Sequence, residues 1–210
     1  MANSGRRIHL ATGNAHKVQE FQRLAETAAI DIQFVRPAAM PVVIEDTGTF
    51  VGNARKKAAA LKAILPPDAW VLADDSGLCV DALGGAPGVE SAYFAGPKGD
   101  SATNLAKLVS VMRDVPDGKR MAHFVCVLIL ISGADGVERV FKADCHGALG
   151  CEPTGPFVFG YDPLFIPEGY SKTYAELGEE VKNVMSHRAR AFNGLVRWLD
   201  DGRTHQGKAG

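Results

Sequence analysis

Two long strand-like runs, Met121 to Ser132 and Glu138 to Leu149, flank Gly133-Ala134-Asp135-Gly136, and this arrangement limits the fold more than any other feature. Such runs joined by a short Gly-rich connection read as a hairpin, and a hairpin makes an antiparallel pair. The N-terminal part of the chain instead alternates strand and helix patterns, which requires parallel strands joined by crossovers. A sheet holding both kinds of pair is mixed, and the fold class is α/β.

The alternation begins with a strand at Ile8 to Ala11 and the turn Thr12-Gly13-Asn14. A helix follows, with Val18, Phe21, Leu24, Ala25 and Ala28 on one side and Asn14 as N-cap. A second strand spans Asp31 to Arg36, and after Pro37 and Pro41 a polar loop carries Glu45 and Asp46. Thr49 opens a helix reaching Leu65, stopped by Pro66-Pro67. The apolar run Trp70 to Ala73 reads as a buried strand ending at Asp74-Asp75, with Ser76-Gly77 as a turn signal and Gly77 to Leu83 as a further strand. Gly84-Gly85-Ala86-Pro87-Gly88 is an irregular loop. Leu105, Leu108, Val109 and Met112 mark a helix from Ser101, and the last helix starts near Ser186. The tail after Gly202 is expected to fray.

At 210 residues the chain suits one domain covering 1–210, with any two lobes inseparable by sequence. A formal net charge of −1 gives no support to a nucleic-acid polymer as partner. No apolar leader precedes Arg7, and the longest apolar run, Phe124 to Ile131, is too short to cross a bilayer. Cys79, Cys126, Cys145 and Cys151 contain no Cys-x-x-Cys pair, and Cys145-His146 matches no zinc spacing. Reduced thiols point to the cytoplasm.

The chemistry concentrates at element ends. Carboxylates closing a buried strand are costly to desolvate unless a cation or hydrogen bonds meet them. Successive side chains on an extended chain face opposite ways, so Asp74 and Asp75 are free to take different tasks. Lys17, His187 and Arg188 fall in first turns of helices, where positive charge opposes the macrodipole by roughly 0.3–1 kcal/mol each. An anion bridging those cations and the free N–H groups resolves the conflict. Lys57 falls on the inward face with Phe50, Ala54, Ala58 and Leu61. Glu45, Asp74 and Asp75 offer the hard oxygens that Mg²⁺ prefers, and a magnesium-bound polyphosphate is the ligand that satisfies both charge signs. No Walker motif occurs, which argues against a P-loop enzyme.

Several segments then match one family in order and spacing. They are Thr12-Gly13-Asn14-Ala15-His16-Lys17; Glu45 with Thr49-Phe50 and Asn53-Ala54; Ala73-Asp74-Asp75-Ser76-Gly77-Leu78; Gly84 to Gly88; Phe159-Gly160-Tyr161-Asp162-Pro163; and Ser186-His187-Arg188. From Ile8 to Leu199 the chain resembles the non-canonical purine nucleoside triphosphate pyrophosphatases, also called inosine/xanthosine triphosphate pyrophosphatases. The resemblance implies a long mixed central sheet with two α/β lobes and a cleft between them, a homodimer, Mg²⁺ dependence, and hydrolysis of a triphosphate to monophosphate and pyrophosphate. It also implies that Thr12, Gly13, Asn14, Ala15, His16 and Lys17 line the phosphates, with Lys57 reaching the phosphate chain. Glu45 and Asp75 hold the metal, and Asp75 is the general base. Ser76 lines the substrate site, and Phe159, Gly160, Tyr161, Asp162, Lys182, His187 and Arg188 shape the nucleoside pocket.

Three positions depart from the family pattern. Tyr93 stands where an arginine is usual, Phe157-Val158 replace a common glycine pair, and Thr154 replaces an arginine often found there. These bear on base selectivity, loop geometry or rate. Two other readings compete: a pyrophosphatase of the septum-inhibitor-like family acting on other modified nucleotides, and a nucleotide-binding module that has lost catalysis.

Overall fold

The strand β1 (Arg6–Leu10) leads through α1 (Ala15–Thr27) to β2 (Ile32–Val35), and α2 (Phe50–Lys62) leads to β3 (Trp70–Val80). β1 pairs in parallel with both β2 and β3, with Ile8 opposite Phe34 and Leu10 opposite Leu72. The two crossovers run in opposite directions along the sheet, so right-handed connections put α1 and α2 on opposite faces. After α3 (Ser101–Val111) come β4 (Met121–Ile131), β5 (Glu138–Leu149), the short β6 (Phe165–Pro167), α4 (Tyr174–Met185) and α5 (His187–Gln206). The computed structural model describes residues 6–157 and 160–206.

The sheet order is β2-β1-β3-β4-β5-β6. Ser132 N donates to Val137 O at 3.0 Å and Leu149 N to Arg120 O at 2.9 Å, an antiparallel register that bears out the hairpin. β5 and β6 are also antiparallel. The sheet is therefore mixed and the class α/β, as the pattern of runs requires.

The chain divides into two compact units, neither continuous in sequence. The first comprises Met1–Asp75, Val127–Lys142 and Ala189–Gly210. In it Phe21 of α1, Phe34 of β2 and Phe192 of α5 meet with ring centroids 5.5–6.0 Å apart, all buried. The second comprises Ser76–Cys126 and Ala143–Arg188. Its core joins Leu78 and Val80 to Leu105 and Leu108 of α3, Met112 that caps it, Phe124 of β4, and Phe165 and Tyr174.

Caps start the helices where the sequence puts them. Asn14 Oδ1 accepts from His16 N at 2.9 Å, and Thr49 Oγ1 from Gly52 N at 3.1 Å. Three expectations are corrected. Ser76-Gly77 is no turn: β3 runs unbroken to Val80, because Leu78 and Val80 are fully buried and their burial outweighs the Ser-Gly preference. α2 ends at Lys62, and Ile64 and Leu65 close i→i+3 turns before Pro66 instead of extending the helix. Beyond Gly202 the helix α5 continues to Gln206.

β6 and α4 lie where no pattern was assigned. α4 is nevertheless marked in the sequence. Thr173 and Glu176 form a capping box, with Thr173 N donating to Glu176 Oε2 at 2.9 Å and Glu176 N to Thr173 Oγ1 at 3.3 Å. Gly178, at φ +79°, breaks the helical path soon after, which hides the 3.6-residue period.

Candidate active site

β1 ends at Leu10, level with Leu72 of β3, so the turn Thr12–Lys17 and the pair Asp74-Asp75, midway along β3, both lie just past the C-terminal end of the parallel strand β1. Ligands in α/β sheets gather at such ends. The turn is fixed locally: Asn14 N donates to Thr12 Oγ1 at 3.1 Å, and Asn14 in turn caps α1. Gly13, Ala15 and His16 are exposed there, at the start of α1.

Asp74 and Asp75 are 4% and 7% exposed. Lys17, three residues past the cap of α1, lies 2.8 Å from Asp74 Oδ2. Lys57 of α2 donates to Asp75 Oδ1 at 2.7 Å and to Glu45 Oε2 at 2.9 Å. Each aspartate thus meets a lysine from a different helix. Positive charge in the first turn of α1, unfavourable toward the macrodipole, is compensated by a buried carboxylate.

Burial pushes the Asp75 carboxyl up, the Lys57 ammonium pulls it back, and Glu45 and Asp74 push it up again; it settles at about 6. For Lys57, burial presses downward, but the two carboxylates outweigh it and hold the ammonium above its ordinary value. Asp75 Oδ2 is buried with no hydrogen-bond partner among the described residues. A buried carboxylate oxygen left unpaired is expensive, and it marks a place for a cation or a water. Among the described residues no cluster of three or more His, Cys, Asp or Glu side chains has metal-holding geometry. Two carboxylates are thus what this unit offers a metal, enough for Mg²⁺ when phosphate and water complete the octahedron.

Glu45 sits on an exposed loop tied down beside α2. Thr47 N and Oγ1 donate to Asn53 Oδ1 at 3.2 and 2.7 Å, and Lys56 Nζ donates to Ile44 O at 3.1 Å. These bonds hold the carboxylate near Lys57 without burying it.

In the second unit, Arg188 Nη2 donates to Ser76 Oγ at 2.8 Å. Lys182 pairs with Asp162. His187, 5% exposed, stacks on Phe124 with centroids 4.8 Å apart and planes 10° from parallel. Tyr161 is buried and donates its hydroxyl to Ser91 O at 2.8 Å; burial holds that hydroxyl above its usual range. Gly160 takes φ +52°, a turn conformation that suits glycine. Phe159 lies outside the described residues.

The expected site residues therefore group into Lys17 with Asp74, Glu45 with Lys57 and Asp75, Asp162 with Lys182, and Ser76 with Arg188. Sequence reading grouped Asp74 with the carboxylates that could hold Mg²⁺, did not foresee its pairing with Lys17, and passed over Phe124. The only signal for Asp74 was a carboxylate beside Asp75 with an opposite facing; for Phe124 there was none. Of the departures, Tyr93 is about half exposed, and Thr154 is drawn into the α4 cap by donating to Glu176 Oε2 at 2.9 Å. No helix among the described residues is long and apolar enough to cross a membrane, and no disulfide joins the four cysteines.

Fold and side chains together define an α/β protein that sets paired carboxylates of a parallel strand, just past the end of its neighbour, against lysines of two helices. Residues 8–198 match the model of the Ham1 family, and the chain belongs to that family. A protein of Opitutus terrae named dITP/XTP pyrophosphatase is 56% identical over 199 residues, covering 91% of this chain and 98% of its own length. One of the same name from Leifsonia xyli is 44% identical, covering 90% and 94%. The solved structure of a HAM1 protein from Coxiella burnetii is similar with a TM-score of 0.81 at 34% identity, covering 93% of this chain and 99% of that one.

Proposed function

We propose that this chain is a magnesium-dependent pyrophosphatase that cleaves non-canonical purine nucleoside triphosphates (ITP, dITP and XTP) to the monophosphate and pyrophosphate. The observation that carries the reading is the Lys57 ammonium held by Glu45 and Asp75, with Asp75 Oδ2 unpaired beside it. The name dITP/XTP pyrophosphatase, borne by relatives, supports dITP and XTP among these substrates.

Glu45 and Asp75 would hold the metal, which when bound withdraws charge from phosphate oxygens and steadies the leaving pyrophosphate. Thr12 to Lys17 present backbone N–H groups and an ammonium to the phosphates, and Lys57 adds a second positive charge. Asp75 takes a proton from the attacking water. The water oxygen bonds to the α-phosphorus while the bond from that phosphorus to the α,β-bridging oxygen breaks. Without a metal, burial raises the Asp75 carboxyl to about 6, toward the range that suits a general base. Positioning and charge carry most of the acceleration, as in other phosphoryl transfers.

A further set of side chains serves the nucleoside. Phe159 supplies a stacking face, and donors at Lys182, His187 and Arg188 suit a 6-keto oxygen. An adenine amino group would meet an unmatched donor, at roughly 1–3 kcal/mol per unpaired group. Ser76, Gly160, Tyr161 and Asp162 position these donors. The enzyme acts as a cytoplasmic homodimer in 1–210 as one working domain.

The test is a release assay with inosine, xanthosine, guanosine and adenosine triphosphates, with and without Mg²⁺, resolving pyrophosphate from orthophosphate. Pyrophosphate is expected from the first two, with GTP and ATP poorer by about tenfold or more. Orthophosphate alone would mean that the wrong bond has been assigned, and binding without turnover would make the chain a binding module.

A further inference from the structure

His187 is an odd residue for its surroundings. It opens α5 and is 5% exposed, against Phe124, which in turn packs on Phe165 and Tyr174. An imidazole in such a place costs more to bury than a leucine or phenylalanine of similar size. Packing alone does not explain the choice.

The ring geometry does. Within the aromatic group the contacts are tilted or edge-on: Phe124 meets Phe165 at 68° and Tyr174 at 32°, and Phe165 meets Tyr174 at 37°. The Phe124–His187 pair alone is near parallel, at 10°. A face-on contact fixes the plane of the imidazole, and with it the direction of the two ring nitrogens that lie in that plane. Phe124 is itself held by edge contact with Phe165 at 4.8 Å, so the platform is rigid. His187 also follows Ser186, whose N–H donates to Lys182 O at 3.0 Å, and precedes Arg188, bound to Ser76. The three proposed base-reading side chains thus come from one junction, and Phe124 braces its middle member from a strand.

The geometry points to Phe124 as a positioning residue for base selectivity: it clamps His187 in one plane so that its ring donor cannot swing away from a mismatched 6-amino group. This rests on the proposed purine reading and deepens it. Rigidity matters because a donor free to rotate relieves the mismatch and forfeits the discrimination that an unpaired buried group enforces. Phe124 touches no substrate in this role and acts through His187.

The experiment is a double-mutant cycle read as the ratio of kcat/KM for inosine triphosphate to that for adenosine triphosphate. Phe124→Leu should lower the ratio by about tenfold, Phe124→Tyr, which keeps the ring face, should largely restore it, and Phe124→Leu should have no further effect in a His187→Ala background. Thermal melting of each variant accompanies the kinetics; if Phe124→Leu does not fold, Phe124→Met carries the same comparison. A Phe124 variant that slows both triphosphates equally, leaving the ratio intact, overturns the proposal and leaves Phe124 as packing. A His187→Ala variant with an unchanged ratio overturns it differently, because then the base reading itself has failed at His187.

Discussion

Asp74 and Asp75 are adjacent on one strand, yet each is bound to a lysine from a different helix, Lys17 of α1 and Lys57 of α2. The pleat of β3 accounts for the split, since neighbouring side chains leave the strand on opposite faces. Crossovers of one hand place the two helices on those faces. Two carboxylates that would repel each other on one surface are thereby given separate tasks. In the proposed mechanism, Lys17–Asp74 presets a phosphate-binding cation and Lys57–Asp75 sets the base.

Replacing Asp75 by Asn keeps the shape and removes the proton acceptor. In the proposed mechanism kcat should fall by about 10²–10⁴, the usual contribution of a positioned general base. Affinity for inosine triphosphate, measured by calorimetry, should change little, because the phosphate-binding lysines remain. Near-normal turnover would remove Asp75 from the role of base.

The same variant should show the cost of keeping the base buried. The carboxyl is raised from 3.8 to about 6, so the folded protein holds its proton more tightly than the unfolded chain does. The stability this contributes is complete below the ordinary carboxylate range and is lost as pH rises through about 6. An asparagine has no such dependence. With metal chelated, Asp75→Asn should therefore gain on the wild type as pH climbs from about 4 to about 7, by up to about 3 kcal/mol. Urea denaturation across that range measures the gap, and a gap that stays flat would mean that Asp75 ionises without penalty in the fold.

The Lys17–Asp74 pair should be asymmetric. Its carboxylate side chain is 2% exposed and its lysine 22%. Lys17→Met leaves a negative charge buried without its cation and should cost about 3 kcal/mol. Asp74→Asn leaves an ammonium that can reach water and should cost about 1 kcal/mol. Kinetically both should raise KM for the triphosphate more than they lower kcat. Equal destabilisation by the two would show that the charge at Asp74 is not desolvated.

Where the sequence carried an unambiguous local signal, the structure was legible in advance. Asn14 and Thr49 have side chains that can only usefully cap, and the runs around Gly133–Gly136 can pair only as a hairpin. Lys57 was legible because a charge on an otherwise apolar helix face needs a partner. Ser76-Gly77 misled, since turn preference is weak beside the burial of Leu78 and Val80, which no local window weighs. The bond that Tyr161 makes was not legible either: its hydroxyl donates to Ser91 O in the second core, a partner distant in sequence that no local window links to it. The Phe124–His187 stack joins residues far apart in sequence and has no periodicity to announce it.

The loop that carries Glu45 supplies a last prediction, made at a glycine far from any reacting atom. Gly52 lies in the first turn of α2, where a Cβ would overlap Thr47 Oγ1 and come within 2.7 Å of Thr47 Cβ. Those atoms cannot swing aside cheaply, because Thr47 is tied through both N and Oγ1 to Asn53 Oδ1, and Asn53 is buried in α2. In helix propensity alone, Gly52→Ala should stabilise by up to about 1 kcal/mol. Overlap with Thr47 should reverse the sign and give a net loss of about 1–2 kcal/mol. The displaced loop would take Glu45 away from Lys57 while leaving Asp75 in place. Gly52→Ala should therefore need several-fold more Mg²⁺ for half-maximal activity, with nucleotide binding in the absence of metal little altered. Adding Thr47→Ala, which removes the overlapping hydroxyl, should recover part of the metal response. A Gly52→Ala protein that is more stable than the wild type and equally responsive to Mg²⁺ would show that the Thr47 anchor does not position Glu45.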